Sequence, residues 1–194
     1  PDAEIGSLAG YLEDGAVFNL VTKINKGPMR TAYTELIDLM IKIAGEKMDA
    51  AEAEKLRALT IKGINSLGDG AAITFKTGTP GGDLFGMKSV IRISDEDAYG
   101  SVIAESMKMM ADGAFDKLYA SFGMKLNLSA KTETAEYKGV KVNKARIKFS
   151  MGEGDSKENE AMKKIFGEGL DYSWAVVDGH AVESLGSDCE SAVR

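Results

Sequence analysis

A single cysteine, Cys189, excludes an internal disulfide, so no oxidised framework braces this chain and cysteine usage leaves its redox compartment open. Flanking Asp188 and Glu190 disfavour the thiolate that a nucleophile needs. Histidine is equally scarce: His180 alone would have to serve any His-based metal site or Ser-His-Asp arrangement, and its place after a turn reads as an exposed turn residue. No run of roughly 18 apolar residues is present to span a bilayer as a helix. Nor is there an excess of positive charge. With a net charge of -6 and a pI near 5.0, the chain lacks the basic surface that phosphate neutralisation requires, which argues against a nucleic-acid partner.

What is there suits one hydrophobic core. Of 194 residues, 44% are hydrophobic, enough for a single globular domain over 1–194. Alternation over Ala16 to Ile24 predicts a strand after the Asp14-Gly15 turn. Helical spacing then runs from Pro28, read as the first helical residue, to Gly45. A capping box at Asp49 and Glu52 opens a second helix that Gly68 is expected to end, with Gly63 allowing close packing. Strands over Ala71 to Lys76 and Phe85 to Ile93 flank the turn "TGTPGGD". Ser94 is expected to cap a helix that breaks near Asp112-Gly113 and resumes through Phe122. Two strands across "EYKG", a short helix from about Ser156 to Phe166 and a hairpin at Asp178-Gly179 follow.

Paired strands separated by helices predict an α+β fold, a largely antiparallel sheet with amphipathic helices packed on one face and a polar second face. "LEDGAVFNL" (Leu12 to Leu20) and "LGDGAAITF" (Leu67 to Phe75) also echo each other at an offset of 55. Either this is common turn chemistry before a strand, or two strand-helix units, about 11–66 and 67–194, are duplicated.

Charge is uneven along the chain. Between Gly123 and Ser150 seven cations face two anions, which makes this stretch +5 and the remainder -11. Lys141, Asn143, Arg146 and Lys148 are expected on the polar face, opposite Val140, Val142, Ile147 and Phe149, with a β-bulge at Asn143-Lys144 absorbing a slip in parity. Lys141, Lys144, Arg146 and Lys148 are then either a solvated sheet face or a docking site for an anionic or protein partner. RNA is disfavoured, because Phe149 points to the core and Tyr137 lies in the turn, leaving no stacking aromatics on that face. Met107, Met109, Met110 and Phe122 are either ordinary core or the lining of an adaptable apolar pocket.

Other constellations have plain readings. "GTPGGD" lacks the Lys-Ser/Thr ending of a phosphate loop and sits between strands. Glu153, Asp155, Glu158 and Glu160 miss the EF-hand spacing and are either carboxylates at a helix entry or a weak cation site; no metal or cofactor motif is present. The sequon Asn127-Leu128-Ser129 lies in a predicted strand. No pair of carboxylates stands out as acid and base, so the chain is read as non-enzymatic.

At "SDEDAYGSVIAES", "LDYSWAVVDGHAVESLG" and "LAGYLEDGAVFNLVTKINKG" the chain resembles bacterial extracytoplasmic domains of unknown function, secreted or lipoprotein-type, with Glu13 standing where those domains have proline. The resemblance implies an α+β fold and a periplasmic or extracellular location. The start at Pro1, with no signal peptide, predicts a processed or trimmed chain, and the helix start in "SDCESAVR" predicts a longer parent. The expected function is a binding or assembly module, with self-association or a protein partner on its sheet face; the alternative is a carrier of a lipid or other hydrophobic small molecule between helices and sheet.

Overall fold

The computed structural model describes residues 3–45, 49–77, 85–114, 116, 126–151, 160 and 169–186. A short helix α1 (Ala3–Gly6) and a 3₁₀ turn η1 (Ser7–Tyr11) precede β1 (Phe18–Lys23). Then come α2 (Lys26–Ala44), α3 (Ala50–Ser66), β2 (Leu67–Thr77), β3 (Phe85–Ile93) and α4 (Glu96–Ala111), followed by β4 (Leu126–Tyr137), β5 (Val140–Met151), β6 (Leu170–Val177) and β7 (His180–Leu185). The strands form one sheet in the order β1-β2-β3-β7-β6-β5-β4, every neighbour antiparallel. The fold is α+β. The last hairpin is inserted at the sheet's centre, where β7 joins the β1–β3 half to the β4–β6 half.

Local chemistry explains most boundaries. Asp178 (φ 49°) and Gly179 (φ 73°) both adopt the left-handed conformation of a type I′ turn, which fixes the β6–β7 register. Lys138 (φ 51°) and Gly139 (φ 81°) do the same between β4 and β5. Asp49 accepts the Ala51 amide at 2.7 Å to start α3, and Gly45 closes α2. The α2 helix begins two residues earlier than expected, with Asn25 as N-cap. Pro28 thus occupies its third position, where the missing N–H is still no loss. At α4 the cap is Asp95, accepting the Ala98 amide at 2.9 Å, and not Ser94. Ser94 Oγ donates instead to the Leu67 carbonyl at 2.8 Å, pinning the α3–β2 junction beside β3. The helix breaks at Asp112-Gly113 as its sequence predicts.

Gly68 does not end a helix. The chain passes at Leu67 directly into β2, and the β2–β3 register shifts between Leu67 and Ala71, so the bulge of this sheet lies here. A Cβ on Gly68 would sit 2.7 Å from Arg92 Cβ and 2.9 Å from the Arg92 carbonyl oxygen. Gly68→Ala is therefore expected to cost about 2 kcal/mol through overpacking against backbone, read as a lowered urea midpoint. Gly63 faces Val102 Cγ1 at 3.3 Å from its ideal Cβ position, the close α3–α4 approach its sequence position suggested.

The bulge expected at Asn143-Lys144 is absent, since β5 pairs with β4 and β6 in unbroken register. The parity slip has another cause: both faces of the sheet are apolar there. Cross-strand pairing aligns Val21, Ala72, Val90, Val182, Ala175, Val142 and Ala135 in one row across all seven strands. On that row sits Leu8 of η1, fully buried against Ala72, Val90, Val142, Ala175 and Val182. The second face is thus capped by the N-terminal segment and is not the uniformly polar surface its sequence predicts. Ile93, Tyr99 and Ala181 anchor the opposite core, under the helices, with Ile91, Ile103 and Val176 around them.

The turn "TGTPGGD" beyond Thr77, the helix expected over 117–122 with Phe122, the helix expected over about 156–166 apart from Glu160, and the C-terminal residues with Cys189 lie outside the described residues. Among those described, no helix is long and apolar enough to cross a membrane.

Candidate ligand cleft

One residue back from the apolar row, on the helix side, the register aligns Leu20, Ile73, Ser89, Glu183, Trp174, Asn143 and Thr134. This row turns polar as it runs toward β4. The change matters because α4 crosses above it. Tyr99 of α4 donates to Glu183 Oε1, which also accepts from Tyr172 Oη at 3.0 Å. Burial, then the charge of Glu183 and the hydrogen bond to it, raise the Tyr99 pKa well above the ordinary phenol range, so this hydroxyl stays a donor. Tyr172 stacks on Trp174 with centroids 5.3 Å apart. Glu183 Oε1 is in this way the tie between α4 and the sheet, and it holds Tyr172 of the aromatic pair in place.

Further along α4, Ala104, Met107, Lys108 and Ala111 meet Thr132, Thr134, Asn143 and Trp174 around a cleft of about 380 Å³. That volume lies toward the lower end of the about 300–1,000 Å³ usual for small-molecule sites. Thr134 Oγ1 donates to Asn143 Oδ1 at 2.8 Å. Trp174 is mostly buried, Met107 and Asn143 are half-buried, and Lys108 is exposed at the rim. A wider cleft of about 530 Å³ between α3 and α4 is ionic: Lys62 Nζ donates to Ser101 at 2.8 Å, and Arg57 pairs with Asp38 and Glu54.

Of the methionines singled out from sequence, Met107 lines the first cleft, Met110 is half-buried and Met109 is buried core; Phe122 lies outside the described residues. Trp174, Asn143 and Thr134 carry no motif and come together only through strand register. The four basic residues of β5 divide. Lys144, Arg146 and Lys148 share the face of Val142, while Lys141 lies with Asn143 and Ala145 on the other. Acidic neighbours oppose them: Glu136 pairs with Lys141, Glu133 with Lys144, and Arg146 Nε is 3.6 Å from Asp171 Oδ1. His180 is half-buried, its ring 5.9 Å from that of Tyr11 and its Nδ1 2.8 Å from the Asp178 carbonyl. Among the described residues no three His, Cys, Asp or Glu side chains cluster as metal ligands. Compared with protein-family models, curated proteins and solved structures, the chain has no match in any of the three.

Proposed function

We propose that this protein is a non-enzymatic, extracytoplasmic binding module that holds a hydrophobic or amphipathic small molecule between α4 and strands β4–β6. The observation that carries the reading is the cleft itself, where Met107 and Trp174 supply apolar wall and Thr134 and Asn143 supply a few fixed polar groups. Methionine suits such a wall because its unbranched thioether repacks around different shapes. The hydroxyls and amide bind without ionising near neutral pH, which favours holding a ligand over acid-base chemistry. The extracytoplasmic setting rests on the resemblance in "SDEDAYGSVIAES" and the final hairpin. Protein isolated from its own source is expected to show, by native mass spectrometry, one small molecule above its denatured mass, and Met107→Asp is expected to lose it. A bare mass for the wild type, with an apolar fluorescent probe binding wild type and variant equally, would contradict the reading.

A second reading, assembly with another copy of the chain, is favoured by α2. Tyr33, Leu36, Met40 and Ile43 follow the 3-4-3 spacing of a helix-pairing seam, and Tyr33, Leu36 and Ile43 are 44%, 49% and 48% exposed. Light scattering is expected to report a dimer that Leu36→Glu converts to monomer; a wild-type monomer rejects this reading.

A further inference from the structure

Resting on the cleft as a ligand site, we infer that its ligand is an amphiphile with an anionic head, of the carboxylate kind, seated against β4–β5 and Lys108, with its apolar body along Met107 and Trp174. Thr134 donates its hydroxyl hydrogen to Asn143 Oδ1, which takes one of that oxygen's two lone pairs and leaves both amide N–H hydrogens as donors. Lys108 adds three N–H donors and a positive charge at the rim, and among the described residues it forms no ion pair. Thr132 supplies another hydroxyl.

The nearest carboxylates are engaged beside the cleft and do not line it: Glu136, on the face of Thr134, stands opposite Lys141 of β5. Glu183, next to Trp174 in the cross-strand row, is engaged by two tyrosine hydroxyls, and Glu133 sits one residue from Thr132 and Thr134 in β4, so it points to the opposite face. None of the described residues around the cleft is acidic. A site rich in donors and cationic at its rim selects a ligand whose polar end accepts hydrogen bonds and carries negative charge; a cationic or donor-only head would leave the amide and ammonium unanswered.

Trp174 is the only tryptophan of the chain, so its emission reports on the cleft directly. Titrating the full chain with dodecanoate, dodecanol and dodecyltrimethylammonium, each below its micelle concentration, is expected to shift that emission with dodecanoate at least tenfold tighter than with the other two. Lys108→Glu, at an exposed position that leaves the fold intact by circular dichroism, is expected to abolish the preference, and Asn143→Leu to weaken dodecanoate alone. Equal affinity for the three amphiphiles, or a preference for dodecanoate that survives Lys108→Glu, overturns the anionic head while leaving the cleft as a carrier site. Tighter binding of the cation does the same. If no amphiphile changes the emission, both the head-group inference and the carrier reading fail.

Discussion

Leu8→Ala is expected to lower the unfolding free energy by about 3 kcal/mol, the scale of a fully buried leucine truncated where its surroundings cannot collapse. Leu8 is 0% exposed and rests on Val90, Val142, Ala175 and Val182, which come from four different strands. The site is built for it. A Cβ on Gly70 would come within 2.9 Å of Leu8 Cδ1, so the glycine leaves the space that the leucine fills. Arg92 Nη2 donates to Ser7 Oγ at 2.9 Å and holds the 3₁₀ turn over β2 and β3. Sheet backbone below and a tethered turn above resist relaxation, so a cavity persists after truncation. Urea unfolding should show a lower midpoint at unchanged slope, whereas Leu39→Ala, at an exposed position on α2, should move it by no more than about 0.5 kcal/mol. Equal effects from the two variants would mean that the N-terminal segment does not seat on the sheet.

That segment also marks where the sequence stops being legible. A stretch of "AEIGSLAGY" contributes one fully buried leucine over little more than two turns, too short for any period to emerge. Without it, the second face of the sheet reads as solvent. Once one face is taken as wet, Val142 and Ile147 can share a core only across a bulge; the structure assigns them to different cores instead. Turn and cap chemistry was readable because it acts within four residues, as at Asp178-Gly179 and Asp49. Strand order was not, because placing β7 between β3 and β6 is decided by contacts across most of the chain. The cleft divides along the same line: helical spacing brings out Met107, but Trp174, Asn143 and Thr134 come from three strands and meet only when the register is known.

The second large effect belongs to the capped face. Glu13→Leu is expected to cost about 3 kcal/mol at neutral pH, because it takes from the Lys88 ammonium, only 8% exposed, a carboxylate that offsets its desolvation. Lys88 Nζ lies 2.5 Å from Glu13 Oε1, and Lys76 Nζ lies 2.8 Å from Oε2. Glu13 is held there by its backbone: its amide donates to Thr74 Oγ1, Thr74 donates to Asn19 Oδ1, and Asn19 Nδ2 donates back to the Glu13 carbonyl. Burial alone would raise the carboxyl pKa, but hydrogen bonds from Lys76 and Lys88 and their charges outweigh it and set the value below the ordinary 4.5. A carboxylate with a depressed folded-state pKa binds its proton more weakly folded than unfolded. Its contribution is therefore complete above 4.5 and is lost as pH falls through the lower, folded value. The wild type should lose stability in acid more steeply than Glu13→Leu, and the gap between them should narrow below pH 4.5. Replacing the pair together, Glu13→Leu with Lys88→Met, should recover most of the loss, since the desolvation of both charges disappears with them. If the double variant remains as unstable as Glu13→Leu in urea unfolding at pH 7, the ion pair is not the source of the effect, and the geometry that Glu13 gives the entry to β1 must be.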